Sequence, residues 1–137
     1  MADPREVLLA ANTVAVVGAS NDPDKPAHGV PAYLRQIGFR VIPVNPTADT
    51  VLGERAYATL ADVPEPVDVV EVFRPADEAP QIAREAVAIG ARSLWLQIGI
   101  RSDEARAIAE SAGLGYVENR CMRVESRLHG ITKRPGS

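Results

Sequence analysis

Residues 13–29 read TVAVVGASNDPDKPAHG, and the reading of this stretch decides the fold. The run Val14 to Val17 is continuously apolar and β-branched-rich, the pattern of a strand buried on both faces. Gly18 ends it, and a polar, proline-containing loop follows. Beyond the loop, Val30, Tyr33, Leu34 and Ile37 recur at helical spacing, and Gly38 is placed to end that helix. A buried strand, a polar loop and an amphipathic helix in this order form the repeating unit of a parallel sheet.

Working outward, the unit recurs. Arg40 to Val44 (RVIPV) predicts a second strand, Val67 to Phe73 (VDVVEVF) a third, Ser93 to Ile98 a fourth and Gly115 to Glu118 a short fifth. Val51 to Tyr57 reads as a minor extended piece, and Leu60 to Pro66 as a turn region with two prolines. Helices are predicted from about Pro75 to Ile89, from Ser102 to Gly113, and from Arg123 to His129. Ahead of the first strand, Asp3-Pro4-Arg5-Glu6 reads as a helix start with Asp3 as its cap. Alternation with short loops implies right-handed crossovers. The expected architecture is α/β: a Rossmann-like three-layer sandwich with five parallel strands in the order 3-2-1-4-5 and helices on both faces.

The chain has 137 residues, and one domain over 1–137 is expected, with its core at about 13–128 and a flexible tail at 130–137. A formal charge of −3, from 15 basic and 18 acidic residues, argues against a nucleic-acid or membrane-surface partner. The single cysteine, Cys121, excludes a disulfide framework, and with only two histidines no metal site is expected. The N-terminal stretch lacks a signal-type pattern and no run approaches a membrane span, so a cytoplasmic location is expected.

In an open parallel sheet, ligands bind beyond the carboxyl ends of the strands. The first such loop is the most informative. Gly18 and Ala19 leave the backbone accessible, Ser20 adds a hydroxyl, and the helix expected to open near His28-Gly29 would aim free N–H groups at the same space. Lys25, one of two lysines, lies within the loop. The spacing G-x-G-x-x-G is absent, and strand two ends in Pro43-Val44-Asn45-Pro46 with no acid for the ribose of NAD. No G-K-[ST] follows, so Walker-type phosphate binding is excluded.

Taken together, VAVVGASNDPDKPAHGV, GFRVIPVNP, VLGERAYATLADVPEPVDVV and the F-R-P at 73–75 resemble the coenzyme A-binding domain. That domain occurs alone in small bacterial and archaeal proteins and at the front of NDP-forming acyl-CoA synthetases. More distantly the chain is similar to the succinyl-CoA synthetase alpha subunit. The later N-R-C at 119–121 resembles the stand-alone proteins. The resemblance implies that Gly18, Ala19 and Ser20 hold a pyrophosphate with Lys25 nearby, and that Val44, Asn45 and Pro46 line the adenosine side. It implies that Phe73 and Arg74 lie under the nucleotide or the start of the pantetheine arm, that Gln97, Ile98 and Gly99 bind that arm, and that Asn119, Arg120 and Cys121 sit near its far end. Lys25, Arg74 and Arg120 would then form a basic edge facing the coenzyme's phosphates.

Single residues carry competing readings. Arg74 is a phosphate clamp or a neighbour capping the helix at Pro75. Cys121, beside Arg120, is a redox thiol able to form a mixed disulfide with the coenzyme, or an inert small residue. His28 reads as a capping histidine rather than a catalyst. Glu71, inside an apolar strand, needs a partner if buried. No Ser/His/Asp set or carboxylate pair is legible, and the chain has no room for an ATP-grasp module, so no catalytic residue is expected. The expected function is binding of coenzyme A or an acyl-CoA without catalysis. The alternatives are a subunit of a multi-chain acyl-CoA synthetase, which would bring a protein partner, and an NAD(H)-binding regulatory domain.

Overall fold

In the computed structural model, which describes residues 1–133, Thr13–Val17 forms β1 and lies between two parallel neighbours. One neighbour is β2 (Arg40–Val44). The other is the strand Val69–Val72, numbered β5 because the short strands β3 (Thr50–Val51) and β4 (Glu54–Arg55) precede it. β6 (Ser93–Leu96) and β7 (Gly115–Val117) complete a five-stranded sheet in the order β2-β1-β5-β6-β7, with every pair parallel. The α/β class and the five parallel strands are as the sequence predicts.

The strand order differs from 3-2-1-4-5. Counted along the chain, the five strands run 2-1-3-4-5, because the third docks on the far side of β1 rather than beside β2. Among the described residues, the open side of β2 is met by a single parallel bridge, from Tyr57 to Val44. Residues 45–66 contain Pro46, Pro64 and Pro66, which cannot donate to a ladder, and the segment folds β3 against β4 as a separate antiparallel pair instead.

Strand alternation sorts the core into two layers. Val14, Val16, Val69, Trp95 and Val117 face helices α1 (Pro4–Ala10), α2 (Pro26–Gln36) and α5 (Met122–Leu128). Ala15, Val70, Val72, Leu94, Leu96 and Tyr116 face α3 (Ala79–Ala88) and α4 (Asp103–Ser111). A carboxylate secures the start of β1: Asp68 accepts from the amides of Asn12 and Thr13 at 2.8 and 2.9 Å.

The expected tail is anchored through Lys133. Ile131 is buried, the Lys133 amide donates to the Ile37 carbonyl at 2.7 Å, and its ammonium donates to the Leu9 carbonyl at 2.7 Å. The rest of that predicted tail, 134–137, lies outside the described residues. Among the described residues no helix is long and apolar enough to cross a membrane.

Candidate functional site

Gly18 leaves β1 with φ at 91°, and a Cβ there would stand 3.0 Å from the Phe73 carbonyl oxygen and 3.0 Å from Cδ of Arg74. Only glycine lets the chain turn here while β5 ends beside it. Its amide is spent on the Val44 carbonyl at 3.0 Å, so it is closed to a ligand.

The helix beyond the loop begins at Pro26, two residues earlier than expected. Pro26 has no N–H, and the amides of His28 and Gly29 both donate to the Lys25 carbonyl. The free donors expected at His28-Gly29 are therefore absent. Pro31 lies inside α2 and cannot donate to the Ala27 carbonyl one turn back. That carbonyl accepts the Ser20 amide instead at 3.1 Å, and Nδ1 of His28 bonds the Ser20 carbonyl at 2.8 Å. Ser20 is thus held on both sides of its α-carbon. Its Oγ accepts from the Asp22 amide at 3.0 Å, which leaves the hydroxyl proton to donate outward. The amides of Ala19 and Ala27 make no hydrogen bond to the described residues.

Across the loop, Asn45 works as a knot. Its Nδ2 donates to the Ala19 carbonyl at 2.9 Å, while Oδ1 accepts from the amides of Thr47 and Ala48 and from the Thr47 hydroxyl. The side chain is consumed in holding two loops together.

These loops frame a cleft of about 600 Å³ at the carboxyl edge of the sheet. Gly18, Ala19, Ser20, Lys25, Val44, Asn45, Pro46, Phe73 and Arg74 line it, as expected. Its apolar lining includes Val17, Val44, Leu60 and Ile82. Sequence reasoning missed the wall residues Thr59, Leu60, Ile82, Glu78 and Glu85. Leu60 lay in a turn and Ile82 in the apolar stripe of a helix, so neither carried a signal. The positions 78, 82 and 85 do fall on one helical face, which is the signal that was available for this wall.

The remaining expected residues form a second group away from the cleft. Gln97 is buried, whereas Ile98 is exposed. The Gly99 amide donates to Oδ1 of Asn119 at 2.7 Å, tying the loop after β6 to the loop after β7. Asn119 itself has φ at 56°, and the Arg120 carbonyl accepts the buried Trp95 indole N–H at 2.8 Å. Cys121 holds the position just before α5 without a side-chain hydrogen bond to the helix, half-buried against the core.

The basic edge expected from Lys25, Arg74 and Arg120 is not assembled. Arg120 is outside the cleft. Arg74 is held in a fork by Glu78, with Nε and Nη2 donating at 3.1 and 2.8 Å. Those bonds raise the Arg74 pKa and lower that of Glu78. Among the described residues Lys25 is the cleft cation without an ion pair.

Glu71 is fully buried on β5, and neither carboxylate oxygen has a hydrogen-bond partner. Burial pushes its pKa up to about 8, so the neutral acid is the form the core tolerates. Among the described residues the other unpartnered buried side-chain atoms are Oε1 of Gln97 and Oγ of Ser126. Glu71 lies between Val69 and Phe73 on the layer of α5, Gln97 follows Trp95 there, and Ser126 lies one turn after Met122. The unsatisfied polar atoms thus share one layer. No cluster of metal-ligating side chains occurs among the described residues.

Comparison with known proteins adds sequence relationships to this geometry. A family model described as a CoA binding domain matches residues 12–127. The chain is 34% identical over 132 residues to the uncharacterized protein YneT of Bacillus subtilis, covering 96% of each. It is 31% identical over 126 residues to acetate–CoA ligase (ADP-forming) II of Archaeoglobus fulgidus, spanning 90% of this chain and 18% of the ligase. A solved structure of the cell-free protein ID.343 from Thermus thermophilus superposes with a TM-score of 0.88 at 41% identity, over 93% of this chain and 99% of that one. The chain belongs to the CoA-binding domain family.

Proposed function

We propose that the cleft binds coenzyme A or an acyl-CoA and that this chain carries out no chemistry by itself. The observation that supports this most is the lining of the cleft, which joins the apolar side chains Val17, Val44, Leu60 and Ile82 to the polar ones Ser20, Lys25 and Arg74. An apolar-faced base suits the apolar lining, and a diphosphate suits the Ser20 hydroxyl, the Ala19 and Ala27 amides and the two cations. In this reading the pantetheine arm leaves the cleft along the sheet edge toward Gln97–Gly99 and Asn119–Cys121. The tied Gly99 and Asn119 loops give that path a fixed backbone.

The absence of own chemistry in this reading rests on what the cleft offers. Its ionisable lining is Lys25, Arg74, Glu78 and Glu85, with two of these paired to each other. A second reading, a subunit that becomes an acyl-CoA synthetase with a separate partner, is favoured by the 31% match to the ADP-forming ligase. Calorimetry with coenzyme A, acetyl-CoA and NAD side by side tests the first reading. Micromolar binding of the coenzyme and none of NAD is expected, and the reverse pattern overturns it. Nucleotide turnover dependent on acyl-CoA in the purified chain would overturn the non-catalytic part.

A further inference from the structure

Arg74 is the cleft cation closest to Gly18, its Cδ standing 3.0 Å from where a Cβ on that glycine would be. Its aliphatic stem therefore packs against the glycine at which the chain leaves β1. Yet the two donors on its carboxylate-facing edge are already used by Glu78, at 3.1 and 2.8 Å. Glu78 and Glu85 line the same cleft, so its two cations are matched by two carboxylates. A site of that balance attracts a polyanion poorly unless one carboxylate is displaced.

We propose that Glu78 is a built-in counter-anion, which occupies Arg74 in the free protein and is exchanged for a ligand phosphate on binding. This rests on the reading of the cleft as a phosphate-bearing nucleotide site and adds a control on how tightly its phosphate end binds. A phosphate takes the same two parallel N–H donors that the carboxylate uses, but carries more charge to the fork. Glu78 lies four residues beyond Arg74, at the end of the 3-10 turn Ala76–Glu78, so a change of side-chain rotamer frees the fork without moving the sheet. Both partners are half-exposed, so the exchange costs little and is sensitive to salt. Glu78 then tempers phosphate-bearing ligands alone: a diphosphate must displace it from Arg74, whereas a neutral nucleoside leaves the pair in place.

Calorimetry on Glu78→Gln, Arg74→Met and the double variant tests this, using coenzyme A, ADP, pyrophosphate and adenosine. At low ionic strength (about 20 mM salt), Glu78→Gln should bind coenzyme A and ADP roughly three- to five-fold tighter, and the gain should vanish near 0.5 M salt. Adenosine binding should not change, and adding Glu78→Gln to Arg74→Met should give no gain. Weaker phosphate binding by Glu78→Gln, or an equal gain on the Arg74→Met background, overturns the counter-anion role. If ADP and pyrophosphate respond as expected while coenzyme A does not bind, the coenzyme reading fails and the counter-anion stands. If coenzyme A binds and Glu78→Gln leaves its affinity unchanged, the counter-anion fails and the coenzyme reading stands. Silence of wild type and Glu78→Gln toward every phosphate overturns both.

Discussion

The amide of Ser20 donates to the carbonyl of Ala27 at 3.1 Å, and that acceptor is available because Pro31, one turn further along α2, has no N–H to offer it. A proline inside a helix ordinarily costs about 3 kcal/mol. Here the helix bond that Pro31 forgoes is replaced by a bond that fixes the glycine-containing loop. Pro31→Ala restores a helical donor that competes with Ser20 for the same carbonyl. The Ser20 amide should then exchange with solvent on the order of ten-fold faster, and coenzyme affinity should fall. Amide exchange by NMR decides this, and unchanged protection of Ser20 would show that the proline plays no part in holding the loop.

Gly18 and Gly99 separate two costs of replacing a glycine. Both have positive φ, at 91° and 88°, but a Cβ on Gly18 meets the Phe73 carbonyl at 3.0 Å whereas one on Gly99 meets nothing within 4 Å. Gly99→Ala should cost only the conformational strain, about 1 kcal/mol. Gly18→Ala adds a backbone clash, should cost about 2–4 kcal/mol, and should abolish ligand binding in the variant that still folds. Urea unfolding of the two variants in parallel measures the gap. Equal losses would mean that the Phe73 carbonyl gives way.

Much of this architecture is legible because local pattern and long-range packing agree. The VAVV run is buried on both faces, and the apolar stripes of α2, α3 and α4 follow their periodicity. What the pattern could not carry is pairing. Whether the third strand docks beside β2 or beyond β1 depends on how far Pro46, Pro64 and Pro66 break the intervening segment, and each strand looks the same locally in either order. The nearer half of the site was legible because Gly18 to Ser20, Lys25 and Asn45 are odd residues for a connector. The charge balance was not, since Arg74 and Glu78 are four apart on a turn that sequence alone reads as helix, where such pairs are ordinary surface features.

Ile82 tests the apolar lining of the cleft, which the sequence did not reveal. The residue is 6% exposed and also packs with Ala79, Ala83 and Ala86. Ile82→Val trims one methyl group, should cost about 1 kcal/mol of stability, and should weaken coenzyme binding no more than a few-fold. Leu60→Gln places a polar side chain in the same apolar lining and should weaken binding of coenzyme A and adenosine alike, while leaving pyrophosphate untouched. If pyrophosphate binding falls in step with adenosine, the apolar lining and the phosphate-binding groups are not separate parts of the cleft.

Glu71 gives a pH dependence of definite sign. Its pKa is raised by burial from the ordinary 4.5 to about 8, so the folded chain holds the proton more tightly than the unfolded chain. Between those values the unfolded state binds fewer protons, and stability falls as pH rises. The contribution of the neutral acid is complete below pH 4.5 and is lost progressively up to about pH 8, with a slope of at most about 1.4 kcal/mol per pH unit. Carboxylates held low by arginine partners, such as Glu78 and Glu110, titrate below this window and do not mask it. Glu71→Gln keeps the shape and removes the proton equilibrium. The variant should gain on wild type steadily from pH 5 to pH 8, read as the difference between their urea midpoints. Parallel profiles across that range would mean that Glu71 is ionised in the fold and has found a partner for its charge.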